Sequence, residues 1–381
     1  MSKVALVRCE SYDYTLVKAA IERGLDLIGG PAQFVKPGEN ILLKPNLLVG
    51  EPPEKCVTTH PAVFKAVAEV FRSTGVSLTY GDSPAIGSPQ GVAKKAGLST
   101  VAAELGIELA DFVNGQEIFC EECLQNKKFV IAKGVLAADG IISLPKLKTH
   151  GLTRLTGSIK NQFGCIPGVL KGEFHVKLPK VENFAQMLVD LNVFLKPRLF
   201  IMDGIMAMEG NGPRGGRPRP MNILLLSADP VALDAIVCRL VGLHPSYVPT
   251  IELGMRAKIG TFKDSEIELV GDDIDSFMAK TFDVKREPAH SRNIPRILNN
   301  LLVAKPVIDE SKCIQCGICV NACPVAPKVV DWAKGDKTKV PVYDYNRCIR
   351  CYCCQEMCPE SAITVNSPFL RRTLSRLKRK S

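Results

Sequence analysis

Nine of the chain's 15 cysteines lie from Cys313 to Cys358, and their spacing constrains the fold more than any other feature. Eight of them form two runs of the pattern C-x2-C-x2-C-x3-C-P, and the second run repeats the first at an offset of 35 residues. This repetition predicts a small, internally duplicated domain. The runs are Cys313, Cys316, Cys319 and Cys323 with Pro324, and Cys348, Cys351, Cys354 and Cys358 with Pro359.

This spacing is typical of bacterial proteins that hold two 4Fe-4S clusters. Three closely spaced thiolates wrap one cluster, and the fourth cysteine of the run reaches the other cluster. We therefore predict crossed ligand sets: Cys313, Cys316, Cys319 and Cys358 for cluster one, and Cys348, Cys351, Cys354 and Cys323 for cluster two. Zinc is the alternative, but zinc sites use paired C-x2-C knuckles rather than a triple spacing. Cys353 is a spare thiol, either redox-active or a space-filling neighbour of the cluster.

Between residues 3 and 270, short apolar runs alternate with segments of helical period. This alternation is typical of βαβ units, so we predict an α/β domain with a mainly parallel sheet. Strands are predicted at residues 4–7, 40–43, 76–80, 129–132, 140–144, 199–202, 223–226 and 266–270. The predicted organisation is an α/β domain (1–285), a linker (286–306), a small α+β iron-sulfur domain (307–366) and a basic tail (367–381).

Charge and hydropathy restrict the partners. The formal net charge of the 381 residues is +10, and six basic residues of this surplus lie in the tail. The remainder is only mildly basic and holds a single Trp, so we predict no nucleic-acid partner. No apolar run reaches 18 residues and no secretory signal is evident, which predicts a cytoplasmic protein without a transmembrane segment. The tail is either a solvated end or a basic amphipathic segment in peripheral contact with an anionic surface.

Polar residues follow five of the predicted strands, where open parallel sheets bind their ligands. We predict Lys146, Lys148 and His150 as catalytic residues, with His150 moving protons near neutral pH. The predicted substrate-binding residues are Lys44, Asn46, Asp82, Lys160, Asn161, Asp203 and Asp229. The lysines predict an exposed cationic crevice for a carboxylate or phosphate. Two alternatives stay open: Asp229 as a helix N-cap, and Asp82 as a turn residue.

Two other motifs carry weaker signals. The glycine-rich segment 209–217 contains arginines that could close over an anion as a lid, although it lacks the Walker A order of a nucleotide-binding loop. Cys120 and Cys123 form a lone C-x2-C, which indicates either a dithiol or metal site, or a surface hairpin.

Taken together, these segments resemble the family called domain of unknown function 362, from Val4 to Val365. The motifs that carry the resemblance are KPN (44–46), GDSP (81–84), LPKLKTH (144–150), GSIKN (157–161), FGC (163–165), DG (203–204) and SADP (227–230). The resemblance implies an α/β domain that is often fused to a ferredoxin and belongs to anaerobic metabolism. His175 also matches the family pattern, or is a loop histidine with satisfied hydrogen bonds. Residues 307–366 resemble two-cluster 4Fe-4S ferredoxins, which implies low-potential electron transfer.

The leading hypothesis is an oxidoreductase whose two 4Fe-4S clusters exchange electrons with chemistry on an anionic small molecule in the crevice. A redox partner protein would then supply or remove the electrons. The alternative is a non-catalytic electron carrier, or a metallocofactor or assembly partner, in which the α/β domain binds without turnover. A third hypothesis is an isomerase or transferase in which the iron-sulfur domain is structural.

Overall fold

The computed structural model describes residues 1–168, 170–289, 300 and 303–366. An N-terminal α/β domain is followed by a small C-terminal domain that begins with a strand at Lys305. Most of the predicted linker (286–306) and the whole basic tail (367–381) lie outside the described residues. Within the described part of the chain, no helix is both long and apolar enough to cross a membrane.

The α/β domain contains twelve strands within its described residues. They are β1 (Ser2–Arg8), β2 (Asn40–Pro45), β3 (Ser77–Tyr80), β4 (Glu108–Leu109), β5 (Gly115–Phe119), β6 (Lys128–Ala132), β7 (Gly140–Leu144), β8 (Lys146–His150), β9 (Arg154–Leu155), β10 (Leu199–Glu209), β11 (Arg217–Ser227) and β12 (Ile267–Gly271). Ten of these form the main sheet, in the order β12-β1-β11-β10-β7-β2-β3-β4, with β8 beside β10 and β9 beside β8. Strands β5 and β6 form a separate hairpin.

The main sheet is mixed but mostly parallel. Along the central order, only β11 runs antiparallel to its neighbours, β1 and β10. The other central pairs are parallel, and β8 also runs parallel to β10. The predicted α/β class with a mainly parallel sheet is therefore confirmed. Each predicted strand is present within a few residues of its expected bounds, although 129–132 lies in the hairpin rather than in the main sheet.

The helices cover both faces of this sheet. In the described residues of the α/β domain they are α1 (Tyr14–Leu27), α2 (Pro61–Arg72), α3 (Pro89–Lys95), α4 (Leu98–Leu105), α5 (Lys133–Leu136), α6 (Gly157–Asn161), α7 (Leu170–Lys177), α8 (Val181–Leu195), α9 (Pro230–Leu240) and α10 (Pro249–Arg256). Their starts follow from local chemistry. The Asp13 carboxylate accepts hydrogen bonds from two backbone N–H groups at the start of α1, and proline occupies the first turn of α2.

Two hydrophobic cores lie on opposite faces of the sheet, and β1 shows how the sequence produces them. Val4 and Leu6 belong to one core, whereas Ala5 and Val7 belong to the other. Successive side chains of a strand point to opposite faces, so a continuous apolar run buries both faces at once. The two cores hold the carboxyl ends of β2, β3 and β7 at one edge of the sheet.

The C-terminal domain is built from the duplicated sequence. Within its described residues it contains β13 (Lys305–Ile308), α11 (Ile318–Asn321), β14 (Val330–Asp331), β15 (Val342–Tyr343), α12 (Cys353–Met357) and β16 (Ile363–Asn366). Strand β13 pairs antiparallel with β16, and β14 with β15. The backbone repeats with the sequence: Gln315 and Arg350 both have positive φ, as do Gly317 and Tyr352 at the starts of the two short helices. Each cysteine run therefore curls in the same way.

Candidate functional site

The structure brings cysteines of both runs together. Cys313, Cys316 and Cys319 of the first run line one pocket with Cys358 of the second run. Cys323 and Cys354 are buried in the same small core as Cys319 and Cys358. Within the described residues, no group of three or more Cys, His, Asp or Glu side chains is arranged to hold a single metal ion. Thiols that ring an open volume fit a cubane cluster, whereas a zinc knuckle closes on one ion.

The segment that follows β7 is a strand rather than the predicted loop. All five residues of β8 are buried, and alternate residues of a strand share a face. Lys146, Lys148 and His150 therefore lie in a row on one side of β8. The prediction that these lysines are exposed is wrong, because β8 is paired with β10 on one side and β9 on the other.

Lys146 forms a buried ion pair at the start of this row. Its Nζ lies 2.7 Å from Asp203 Oδ2 and donates a hydrogen bond to the Tyr12 hydroxyl at 2.8 Å. Tyr12 in turn donates to Asp203 Oδ1 at 2.8 Å, and the backbone N–H of His60 donates to Asp203 Oδ2. Asp203 thus balances the charge of the Lys146 ammonium, and two of its three N–H groups donate to groups of the protein itself.

A second buried network contains five of the predicted residues. Lys44 Nζ lies 2.9 Å from Asp82 Oδ1, and Asp82 Oδ2 accepts the backbone N–H of Leu47. Lys148 Nζ donates to Asn46 Oδ1 at 2.7 Å, and Asn46 Nδ2 donates to Asn161 Oδ1 at 3.0 Å. Asp82 is therefore an ion-pair partner and more than a turn residue. The cationic crevice predicted from these residues is filled by their own contacts.

Two lysines of this region remain without a carboxylate partner. Lys148 is fully buried, and burial lowers its pKa well below the ordinary value, with Lys160 and Lys146 lowering it further. Lys160 on α6 is partly exposed, and burial also lowers its pKa. Among the described residues, the Lys160 ammonium makes no hydrogen bond or ion pair, and its recorded contact is with the Phe163 ring at 5.9 Å. This ammonium is the free cation of the site.

The far end of the row reaches the C-terminal domain. His150 Nδ1 accepts the backbone N–H groups of Leu152 and Thr153, so its proton lies on Nε2, which is 3.0 Å from Glu356 Oε1. Glu356 lies between Cys354 and Cys358, two of the predicted cluster ligands. Burial lowers the pKa of His150 to about 4, which keeps its imidazole neutral near pH 7. The His175 ring stacks on the Phe184 ring, with 4.5 Å between the ring centroids, and burial likewise lowers the pKa of His175 to about 4.

The glycine-rich segment between β10 and β11 is an interdomain contact rather than a lid. Arg214 Nε donates to Glu51 at 2.7 Å, and Arg214 Nη1 donates to the carbonyl of Met357 at 2.6 Å. Gln355 Nε2 donates to the carbonyl of Asn211 at 2.9 Å. The arginine that we predicted to close over an anion is instead held by the C-terminal domain.

The structure places Asp229 away from the other predicted substrate-binding residues. Strand β11 is antiparallel to its neighbours, so its carboxyl end at Ser227 lies opposite Phe200, at the amino end of β10. Asp229 is therefore at the other edge of the sheet from Asp82 and Asp203. Its carboxylate accepts the N–H groups of Val231 and Ala232, which makes it the N-cap of α9.

Comparison with known proteins identifies both domains. The family model of a domain of unknown function, DUF362, matches residues 41–239, which is more than half of the chain. The chain belongs to the DUF362 family. A 4Fe-4S dicluster domain matches residues 305–362, so the predicted fusion to a ferredoxin-type domain that binds 4Fe-4S clusters is confirmed.

The DUF362 chain is similar to a thylakoid-associated protein of Synechocystis, with 38% identity over 252 residues that cover 66% of this chain and 78% of the relative. Among solved structures, it is similar to the lactate racemase apoprotein from Thermoanaerobacterium thermosaccharolyticum, with a TM-score of 0.41 and 15% identity. A Thermotoga maritima protein gives a TM-score of 0.37 and 11% identity. These matches cover 63% and 66% of this chain but 56% and 60% of the two solved chains, and both are too remote to bear on function.

Several residues of the DUF362 site escape sequence reasoning. Tyr12 follows β1 with no motif around it, and only the fold brings its hydroxyl to Lys146 and Asp203. Glu356 lies inside the second cysteine run, and its charge at that position is the signal that the sequence offers. Only the structure shows that its side chain is buried. Gln355 beside it is also buried.

The cysteines outside the ligand runs have separate structural roles. Cys120 and Cys123 form a disulfide in the turn between β5 and β6, which satisfies both the dithiol and the hairpin hypotheses. Cys165 is fully buried, and burial raises its pKa to about 12, so it is an inert thiol. Cys353 begins α12, and its charge raises the pKa of Lys160.

Proposed function

We propose that this DUF362 chain is an oxidoreductase in which two 4Fe-4S clusters exchange electrons with an anionic substrate bound where the two domains meet. The observation that carries the proposal is the Lys160 ammonium, which has no hydrogen bond or ion pair among the described residues and whose pKa is lowered by burial and raised by the charges of Glu356 and Cys353 of the iron-sulfur domain. An unpaired cation between an electron-transfer domain and a buried polar row is a suitable place for a carboxylate or phosphate. The clusters, when bound, supply one-electron transfer.

The charge balance of the site supports an anionic occupant. Four ammonium groups, from Lys44, Lys146, Lys148 and Lys160, lie among three carboxylates, from Asp82, Asp203 and Glu356. Two ion pairs neutralise four of these charges. The remaining ammonium groups outnumber the one remaining carboxylate, that of Glu356. Burying this surplus positive charge costs free energy unless an anion binds or an ammonium loses its proton.

The residues of the row then take distinct roles. Lys160 binds the anionic group directly, and Lys148 supplies a second positive charge behind it. Neutral His150 directs its Nε2–H towards the Glu356 carboxylate, 3.0 Å away, and so positions that carboxylate at the edge of the site. Lys146 and Lys44 hold the surrounding strands in place through Asp203 and Asp82.

We further propose that two clusters are present and that their ligands are crossed, as the sequence predicts. Protein purified without oxygen should contain about eight irons and eight acid-labile sulfides per chain. Cys358→Ala should damage the cluster held by Cys313, Cys316 and Cys319, while Cys323→Ala should damage the other cluster. Electron paramagnetic resonance of the reduced variants distinguishes the two. Zinc as the main metal, or damage confined to the run that carries the substituted cysteine, would contradict this assignment.

Anion binding tests the site itself. Because burial lowers the pKa of Lys148 and Lys160, an anion that restores their charge should bind with proton uptake and bind more weakly as pH rises. Titration calorimetry with inorganic phosphate, in buffers of different ionisation enthalpy, measures that uptake. Lys160→Met should weaken binding by about 10- to 100-fold, the worth of a charged hydrogen bond. The exposed Lys94→Met is the control.

The alternative function is a non-catalytic electron carrier or metallocofactor partner. The internal pairing of Lys44 and Lys146 favours it, since a closed site needs no substrate to satisfy those lysines. Protein with full iron content that binds no phosphate or small carboxylate, and whose Lys160→Met variant is unchanged, would establish this alternative.

A further inference from the structure

A serine and a lysine outside the proposed redox site form a close pair. Ser83 follows β3, and Lys171 lies in the first turn of α7. Lys171 Nζ is 2.7 Å from Ser83 Oγ and donates a second hydrogen bond to the carbonyl of Ile166 at 3.0 Å. The backbone N–H of Gly168 also donates to Ser83 Oγ, at 2.8 Å. Two donors therefore converge on one hydroxyl oxygen.

The loops that carry this pair are fixed in position. The backbone N–H of Ser83 donates to the carbonyl of Gly164 at 2.9 Å. Gly164 cannot be replaced without movement, because a Cβ there would lie 1.6 Å from Asp82 Oδ1. Ser83 and Lys171 are 4% and 9% exposed, and Ala85 and Gly168 in the same two loops are exposed. The pair is thus buried in loops whose neighbouring residues reach the surface.

We propose that Ser83 and Lys171 form a nucleophilic dyad that reacts with activated acyl compounds, carboxylic esters or thioesters, independently of the electron transfer proposed above. A serine hydroxyl is a weak nucleophile, and a neighbouring neutral amine activates it by accepting its proton. The Nζ to Oγ distance of 2.7 Å is within the reach that this transfer requires.

The step balances with water as the second reactant. Ser83 Oγ forms a bond to the acyl carbon as its proton passes to Lys171 Nζ. The bond to the leaving alcohol or thiol then breaks, and that group takes the proton from Lys171. A water molecule attacks the acyl-serine by the same route, which releases the carboxylic acid and restores the hydroxyl.

The surroundings of Lys171 favour its neutral form. Burial lowers its pKa from the ordinary value to about 8, so a large fraction of the amine is unprotonated in mildly alkaline solution. Four titratable or charged groups also act on it: Asp82 and Cys165 raise its pKa, while Lys44 and Lys160 lower it. The positive charge of Lys160 also favours an acyl compound that carries a negative group.

A fluorophosphonate probe tests the dyad on the full-length, iron-loaded protein. Attack by Ser83 forms an Oγ–P bond and expels fluoride, and peptide mass spectrometry locates the adduct. We expect labelling of Ser83 at a rate that rises as pH passes through about 8, no adduct in Ser83→Ala, and labelling about 100-fold slower in Lys171→Met, the lower end of general-base effects. Lys94→Met, an exposed lysine, should label at the wild-type rate.

Two outcomes would overturn the proposal. One is iron-loaded wild-type protein that gives no Ser83 adduct, and the other is a Lys171→Met variant that labels at the wild-type rate. If Lys171→Met does not fold, the wild-type pH profile decides, because a rate that stays flat between pH 6.5 and 9.5 excludes Lys171 as the base. Phosphate binding at Lys160 is measured separately, so failure of the dyad leaves the redox proposal untouched.

Discussion

Lys146→Met should lower the free energy of unfolding of the α/β domain more than the substitution of any exposed lysine. The change removes the ammonium that neutralises Asp203, and that carboxylate is fully buried. Breaking a buried ion pair from one side costs about 3 to 5 kcal/mol, because the remaining charge loses its compensation. Asp203 keeps the hydrogen bonds from Tyr12 and from the backbone N–H of His60, so we expect the lower end, about 3 kcal/mol. The whole protein is stable by only about 5 to 15 kcal/mol.

Urea denaturation measures this loss, with a separate probe for each domain. Far-UV circular dichroism follows the helices, most of which lie in the α/β domain. Trp332, the chain's single Trp, reports the iron-sulfur domain. With a slope of about 3 kcal/mol per molar urea, a loss of about 3 kcal/mol moves the dichroism midpoint by about 1 M. The Trp332 transition should move much less.

The double variant Lys146→Met with Asp203→Asn isolates the cause. Removing the orphaned charge as well should recover a large part of the lost stability, since the neutral amide keeps hydrogen-bonding capacity. Lys65→Met, which breaks a surface pair with Glu104, should change stability by less than about 1 kcal/mol. If Lys146→Met costs no more than Lys65→Met, the buried-pair argument is refuted.

Three other predictions follow from single contacts. Asp229→Ala should destabilise the protein by about 2 kcal/mol in urea denaturation, through loss of the α9 N-cap, and leave phosphate binding unchanged. In the folded protein the pKa of His175 is lowered to about 4, so between about pH 6.5 and pH 4 the unfolded state binds more protons than the folded state. The free energy of unfolding should therefore decline as pH falls through this window. His175→Phe should make that decline smaller, as measured by denaturation midpoints at each pH. Arg214→Ala combined with Gln355→Ala should loosen the interdomain contact and speed release of the α/β domain in limited proteolysis.

Local signals were sufficient for much of the fold. Cysteine spacing identifies the iron-sulfur domain because a cluster dictates how the chain curls, and the repeated positive φ values at Gln315 and Arg350 show that curl. The apolar stripe from Val181 to Leu195 is long and regular, which is the pattern of an amphipathic helix, and the structure has α8 there. Both features depend on residues close together in sequence.

The misplaced site residues depend on strand direction and on partners that are distant in sequence. Asp229 follows an apolar strand like the others, but only the sheet topology shows that β11 runs the opposite way. Lys146 and Lys148 are polar residues in a short segment, and their burial depends on Asp203 and Asn46, which are 57 and 102 residues away in sequence. No local pattern reports such pairing, so a buried lysine and a solvated one look alike in the sequence.

The two cysteine runs share a spacing but use their three-residue spacers differently. In the second run, Gln355 contacts Asn211, Glu356 lies beside His150, and Met357 accepts a hydrogen bond from Arg214. In the first run, the side chain of Val320 packs in the small domain's own core. The spacer of the second run thus contacts the α/β domain.

Under the proposed function, this difference gives the iron-sulfur domain a direction. Cys316 of the first run is exposed beside an open pocket, where a redox partner can approach. The second run faces Lys160 and His150 through Glu356. Because cysteines on both sides fix the backbone of the second spacer, cluster binding there also positions Glu356. Electron delivery and the shape of the substrate site therefore depend on the same few residues. Because Cys354 and Cys358 are assigned to different clusters, loss of either cluster should impair phosphate binding, measured by calorimetry, as well as electron transfer.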